Sequence, residues 1–277
     1  MRDSRCPRHC PAIAPGRHQL VRDADAELDA AIVEAGKDET LLALAAALEF
    51  SGAVDFHREA VAVGFRRYPE FAELVVADLY EYGCNGLFEY GSRRLVIDRL
   101  QAEEALIDPG VTVSRTLLHE LVHAAQETPT SWIDVKTRRG RREQCLLEGS
   151  ADAMAASIYL DCAADVTAMD IAERNGPVYG PYEAVTRAVL DTVNPTNNFL
   201  FEIQEYAGLA YGSRLEWIFE RFELKRRQIL RRFKLKRILD SALAHEPDSR
   251  AAWTIALWNH EQSVSKTLSS FIGRPAT

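Results

Sequence analysis

The sequence predicts an α+β protein that is mainly α-helical. Apolar residues recur at helical spacing over most of the 277 residues. Residues 86–98 differ, because two short runs of β-forming residues flank Gly91-Ser92, and this pattern predicts a hairpin. Hydrophobic residues make up 47% of the chain, which is enough for a sizeable core.

The N-terminal part of the chain is predicted to be a tail followed by helices. Residues 1–22 contain prolines and arginines without a periodic apolar pattern, which is typical of a flexible tail. Helical periodicity begins at Asp23, and Asp38 is a candidate N-cap for the next helix. The stretch 56–83 predicts one or two further helices, broken near Pro69. Residues 23–84 therefore form an N-terminal helical region.

Residues 85–200 are predicted to form the core of the protein. The hairpin is followed by a turn at 108–111 and a helix from Thr112, TVSRTLLHELVHAAQET. A polar, basic loop is expected at 131–142, then a second apolar helix, EQCLLEGSADAMAASIYL. Residues 201–277 form a C-terminal helical region, either separate or in one compact domain with the preceding regions.

The composition excludes several classes of protein. A net charge of −8 and a pI near 5.5 argue against general nucleic-acid binding. The first residues lack the apolar segment of a signal peptide, and no apolar run has the length of a membrane span. The five cysteines are odd in number and scattered, which favours a reducing compartment. We therefore expect a cytoplasmic protein without a transmembrane segment.

The stretch HELVH contains the residues with the clearest chemistry. His119 and His123 are four residues apart, so on a helix their side chains share one face and can reach one metal ion. Glu120 flanks that face and can contact a water on the metal without being a ligand. The alternative is a surface helix with two ordinary histidines.

A catalytic metal needs a third protein ligand. The metzincin pattern places a histidine six residues after the second one, but that position is Pro129. Glu148, on the next predicted helix, is the other candidate. Asp152 follows it by one turn and can accept the second ring N–H of a ligating histidine. Gly149 and Ala151 keep this helix thin for close approach to the first. The alternative is a solvated N-terminal turn with acidic residues.

HELVH followed by EGSAD resembles the gluzincin metallopeptidases over roughly residues 85–160. The pattern of that family matches this chain at His119, Glu120, His123, Glu148 and Asp152. The resemblance implies a zincin-like core with a small sheet beside the HExxH helix. It also implies one zinc ion per chain, bound by two histidines and Glu148, with Glu120 as general base and proton shuttle. The implied activity is hydrolysis of peptide bonds in a peptide or protein substrate.

Two further expectations come from the same resemblance. Family members often use a downstream tyrosine or histidine as an oxyanion donor, and the candidates here are Tyr206 and Tyr211, with Tyr179 and Tyr182 behind them. A strand upstream of HExxH often pairs with extended substrate, and residues 93–98 are the candidate.

A regulatory protein is the alternative function. ImmA/IrrE-type regulators keep a zincin site but act on one dedicated partner or show no general peptidase activity. Residues 221–237 favour this alternative slightly, because they hold nine basic residues and one acidic residue at helical spacing. This basic helix could contact an acidic partner or surface, or it could simply be a solvated amphipathic helix.

Overall fold

Helices make up most of the chain, and a small three-stranded sheet lies in its N-terminal half. The structure, a computed structural model, describes residues 18–65, 67–79, 82, 85–107, 114–126, 137–162, 180–194, 199–210, 212–245 and 253–273. The predicted α+β class with mainly helical content is confirmed.

Three helices precede the sheet: α1 (His18–Ala35), α2 (Glu39–Phe50) and α3 (Ala53–Phe65). The N-cap of α2 is confirmed, because the Asp38 carboxylate accepts hydrogen bonds from the amides of Thr40 at 2.8 Å and Leu41 at 3.1 Å. The predicted tail boundary is wrong, because α1 begins five residues before Asp23. The rest of that predicted tail lies outside the described residues.

The sheet contains β1 (Glu73–Ala77), β2 (Gly86–Glu89) and β3 (Arg94–Asp98), in the order β1-β3-β2. The predicted hairpin is confirmed by the antiparallel pairing of β2 with β3. The predicted helix over 73–77 is wrong, because this segment is a strand parallel to β3. Four of its five residues are buried, and so short an apolar run does not distinguish a strand from a buried helix.

The position of β3 contradicts the predicted role of residues 93–98 in substrate pairing. Val96 of β3 faces Val75 of β1 on one side and Leu87 of β2 on the other. Since both hydrogen-bonding edges of β3 are occupied by neighbouring strands, an extended substrate cannot add to it.

The next helices are α4 (Arg99–Ile107), α5 (Arg115–Ala125) and α6 (Arg138–Cys162). Helix α6 begins five residues before the predicted Glu143, inside the basic segment that was expected to be a loop. The Thr137 hydroxyl accepts from the Gly140 amide at 3.0 Å and caps the helix. Arg142 binds Asp240 through two hydrogen bonds of 2.6 and 2.9 Å, which holds the early part of the helix in place.

The remaining helices are α7 (Gly180–Val193), α8 (Phe199–Ala207), α9 (Arg214–Arg221), α10 (Ile229–Leu243) and α11 (Trp253–Ile272). The predicted single basic helix over 221–237 is wrong, because α9 ends at Arg221 and α10 starts at Ile229. The turn between them contains Glu223 with a φ of 54°, a left-handed conformation that interrupts a helix.

The chain forms two compact units, and α6 contributes to both. One unit comprises Met1–Gln126 with Ala155–Ala164, and the other comprises Glu127–Met154 with Asp165–Thr277. The first holds the sheet and α1–α5, and the second holds α7–α11. Within the described ranges, no single helix has the length and hydropathy of a membrane span, although the bent pair α2–α3 meets both criteria when taken together.

A buried histidine connects α3 to the start of α5. His57 is 1% exposed, and its Nδ1 lies 2.7 Å from the carbonyl oxygen of Ala53. The amide of Ser114 donates to Nε2 of His57 at 2.8 Å, so Nε2 must be unprotonated and Nδ1 must carry the hydrogen. Ser114 in turn caps α5 by accepting from the Leu117 amide at 3.2 Å. Neutral His57 therefore fixes the first turn of α5.

The His57 contact predicts a loss of stability in acid. Burial lowers the pKa of His57 below its usual 6.5. The stabilisation is therefore present above pH 6.5 and is lost as the pH falls through the folded-state pKa. We expect His57→Ala to lower the free energy of unfolding by about 2–3 kcal/mol at pH 7.5, with a smaller difference at pH 4.5. Urea unfolding of both proteins across this range measures the difference, and a gap that does not change with pH would contradict the assignment.

Candidate metal centre

Helix α5 places the two histidines of HELVH face to face. His119 and His123 are 5% and 3% exposed, and their rings meet edge to face with centroids 4.7 Å apart. The two Nε2 atoms lie 3.0 Å apart and therefore point toward one place. The alternative of a surface helix with two ordinary histidines is wrong, since both side chains are buried.

Helix α6 supplies the third candidate ligand atom. Glu148 is 1% exposed, and ligand atoms of His119, His123 and Glu148 all lie within 4.8 Å of one another. Because α6 begins at Arg138, Glu148 is in the interior of the helix. The alternative of a solvated acidic first turn is therefore wrong. Burial of a carboxylate is unfavourable, and a cation at this position would compensate its charge.

The three residues fit a tetrahedral zinc ion. Zinc–nitrogen bonds of about 2.0–2.1 Å in tetrahedral geometry separate two nitrogen ligands by roughly 3.3 Å. The Nε2 atoms of His119 and His123, at 3.0 Å, need to move apart by only a few tenths of an ångström. Two imidazoles and one carboxylate leave one position open, which is the arrangement of catalytic rather than structural zinc sites.

Two side chains hold His123 in the orientation that a metal requires. Nδ1 of His123 lies 2.7 Å from Oε1 of Gln126 and 3.0 Å from the hydroxyl of Tyr90. The Tyr90 hydroxyl donates to the same Gln126 oxygen at 3.1 Å. An amide oxygen can only accept, so Nδ1 of His123 carries the hydrogen and Nε2 keeps its lone pair for a metal.

Glu148 is held in a similar way by a neighbour one helical turn earlier. The side-chain amide of Gln144 donates to Oε1 of Glu148 at 2.6 Å. Gln144, Gln126 and Tyr90 are not among the residues that the HELVH and EGSAD motifs predict. The two glutamines could have been found from their spacing, because each lies one turn from a ligand on the same helix face. Tyr90 reaches His123 from the hairpin, and no local pattern in the sequence indicates that contact.

The Gln126 contact predicts weaker metal binding when it is removed. We expect Gln126→Leu to reduce zinc affinity about 10–100-fold, because the His123 tautomer and ring angle are no longer fixed. Competition with a chromogenic chelator measures the affinity. Gln101→Leu on α4 is the matched control, since Gln101 bonds only to Glu104 among the contacts described and should leave the affinity unchanged. Equal affinities in wild type and Gln126→Leu would show that Gln126 has no orienting role.

The backbone of β2 leaves room for Glu120. This residue is 7% exposed, next to the first histidine on α5. A Cβ atom at Gly86 would lie 3.1 Å from Cγ of Glu120 and 3.0 Å from Cγ2 of Thr116. A side chain at position 86 would therefore press on the stem of Glu120. Asp152 is buried at 5% exposure on α6, and its hydrogen bond to a ligating histidine stays a prediction.

Among the candidate oxyanion donors, Tyr206 is fully buried in the α8–α9 region. Its ring lies 5.0 Å from that of Trp217, and the Arg214 guanidinium lies 5.8 Å from the ring centroid. Its hydroxyl lacks a hydrogen-bond partner among the described residues. Burial, above all, raises the pKa of Tyr206 well above its usual value. The hydroxyl therefore stays protonated as a donor, but its catalytic role stays a prediction. Tyr211 and Tyr179 lie outside the described residues.

Comparison with known proteins does not assign the chain to a family. No family model, curated protein or solved structure matches the chain. The candidate site therefore stands on its own residues: three buried ligand atoms, the side chains that orient two of them, and one adjacent carboxylate.

Proposed function

We propose that the protein is a zinc-dependent metallopeptidase that hydrolyses peptide bonds. The observation that supports this most strongly is the convergence of His119, His123 and Glu148 within 4.8 Å in a buried site. The resemblance of HELVH and EGSAD to the gluzincins supports the same proposal, with a zincin-like core around α5 and α6. The substrate class is a peptide or protein.

The residues of the site would have different roles in such a reaction. His119, His123 and Glu148 would hold the zinc ion, which would lower the pKa of a water toward 7 and polarise the scissile carbonyl. Glu120 accepts the proton that the attacking water loses, and then delivers it to the nitrogen of the departing amine. The amine therefore leaves neutral, and Glu120 returns to its carboxylate form.

The position of Glu120 suits a base rather than a fourth ligand. It is one residue from His119 and three from His123, so its side chain projects about 100° around the helix from the first histidine. Its stem lies beside β2 at Gly86, where a Cβ atom would lie only 3.1 Å from Cγ of Glu120. A carboxylate that is confined beside the ligands can transfer protons without a large reorganisation, which favours general base catalysis.

Metal content is the test of the proposed site. We expect about one zinc per chain in wild type purified without added metal, and a nearly complete loss in Glu148→Ala, because two histidines alone bind zinc weakly. Elemental analysis of both proteins, purified side by side, measures this.

Glu104→Ala is the matched control for this experiment. Glu104 is exposed on α4, so the same substitution there should leave the zinc content at the wild-type value. Wild type that stays metal-free after zinc is added back would overturn the proposal. An undiminished zinc content in Glu148→Ala would remove Glu148 from the ligand set.

A further inference from the structure

Helices α10 and α11 enclose a groove of about 840 Å³. We call it the α10–α11 groove. Apolar side chains such as Ile238 and Val264 line it together with the cations Lys234 and Arg237 and the polar residues Ser241 and Asn259. A concave site of this size, lined by apolar side chains and two cations, is suited to a ligand that is partly apolar and negatively charged.

The positive charge of the groove is not neutralised by the two helices that form it. Asp240 is the only acidic residue of α10, and it binds Arg138 and Arg142 of α6. Glu261 is the only acidic residue of α11; burial raises its pKa to about 7, and it interacts with Arg187 and Asp191 of α7. Both carboxylates are therefore already engaged with other helices, and no acidic side chain lines the groove within the described part of the chain.

Two stacked histidines lie among the lining residues. The rings of His245 and His260 are nearly parallel, with centroids 4.1 Å apart. Nε2 of His260 lies 3.1 Å from the carbonyl oxygen of Ala242. Burial and the neighbouring His245 lower the pKa of His260 to about 4, so His260 is neutral at physiological pH. Lys234 and Arg237 are therefore the fixed cations of the groove.

The length of the groove indicates a linear ligand. Its lining extends along α10 from Phe233 to His245, which corresponds to roughly 18 Å at 1.5 Å per helical residue. One turn earlier, Leu230 is 84% exposed, and Phe233 itself is 57% exposed. A single small anion would occupy only a fraction of this length. A cleft between two helices also fits an elongated peptide segment better than it fits the flat surface of a lipid bilayer.

We propose that the α10–α11 groove binds an acidic amphipathic helix of a protein partner. The apolar face of such a helix packs on Phe233 and Ile238, and its carboxylates pair with Lys234 and Arg237. This recruitment site lies within one unit of the chain and acts independently of the metal. It gives the protein a means to select an acidic partner, whichever reaction the metal centre performs.

The direct test is binding of a fluorescein-labelled peptide of about 15 residues, with leucines on one face and glutamates on the other. We expect saturable binding to wild type by fluorescence anisotropy. K234E/R237E should weaken the binding about tenfold or more, because two attractive charge pairs become repulsive. Phe233→Ser should also weaken it, since this exposed side chain contributes apolar area. Glu120→Gln should bind like wild type, which separates this proposal from the proposed hydrolysis.

R226E/R227E is the matched control. Arg226 and Arg227 are exposed in the turn before α10 and do not line the groove, yet their substitution changes the net charge equally. Less than about a threefold effect is expected for this variant. If both charge variants bound the peptide equally weakly, the attraction would be a general effect of net charge, and the proposed groove site would be overturned. A wild-type protein that does not bind the peptide would also overturn the proposal, whether or not it binds vesicles of phosphatidylcholine and phosphatidylserine. Circular dichroism melts confirm that the variants are folded.

Discussion

Replacing Glu120 with glutamine is expected to reduce peptide hydrolysis by about 10²–10⁴-fold while the zinc content stays at the wild-type value. Glutamine has nearly the same shape, so it should fit beside Gly86 and Thr116 as the carboxylate does. It cannot accept a proton at neutral pH, so no side chain takes the proton of the attacking water or delivers it to the nitrogen of the departing amine. The ligands His119, His123 and Glu148 are untouched, which is why metal binding should persist.

The measurement combines turnover with elemental analysis. Wild type, Glu120→Gln and the exposed control Glu104→Gln are compared on a quenched-fluorescence peptide library, since the substrate class is broad. Turnover by wild type and the control but not by Glu120→Gln would support the proposed base. Full turnover by a zinc-loaded Glu120→Gln would exclude Glu120 from this role.

The same variant separates the peptidase from the regulatory alternative. A regulator that keeps a zincin site needs the metal for its structure or its partner but does not need a base. Its biological effect would therefore survive Glu120→Gln and would be lost on replacement of Glu148. A peptidase loses its effect in both variants, because the base and the metal act in one reaction.

Features of the site that depend on helical spacing were predictable from the sequence. His119 and His123 share a face because they are four residues apart, and the sequence favours Glu148 as third ligand because the metzincin position holds Pro129. The structure brings these three residues together as that spacing suggests. The N-cap at Asp38 was predictable for the same reason, because capping is a local hydrogen bond.

Features that depend on contacts between distant segments were not predictable. β1 is a strand because it pairs with β3 about twenty residues later, and nothing within 73–77 specifies that partner. The bond from Tyr90 to His123 joins a hairpin turn to a helix. The early start of α6 depends in part on Asp240, about a hundred residues downstream of Arg142.

Gly149 permits a close helix–helix contact, as the sequence predicts, but the helix in contact with it is α7. It was predicted to keep α6 thin so that it could approach α5. The structure places its close contact against α7 instead: a Cβ at this position would lie 2.6 Å from the carbonyl carbon of Tyr182 and 2.7 Å from Oγ1 of Thr186. Backbone meets backbone there, so no side-chain rotation can relieve the overlap.

Gly149→Ala is therefore expected to lower the free energy of unfolding by about 2–4 kcal/mol, measured by urea denaturation. On helix propensity alone, alanine should stabilise an interior helical position by about 1 kcal/mol, so the two arguments predict opposite signs. Steric overlap with the Tyr182 backbone is the larger effect, because α6 and α7 must move apart to accommodate the methyl group. The neighbouring residue is Glu148, so the same displacement should also weaken zinc binding.

Gly91→Ala is the matched control for this substitution. A Cβ at Gly91 meets no atom within 4 Å, and its φ is not positive, so alanine there should change stability by less than about 0.5 kcal/mol. A Gly149→Ala protein as stable as wild type would show that α6 and α7 separate at little cost. Loss of stability with unchanged zinc affinity would mean that α7 supports the fold without positioning Glu148. Loss of both would show that the α6–α7 contact holds the third ligand in place.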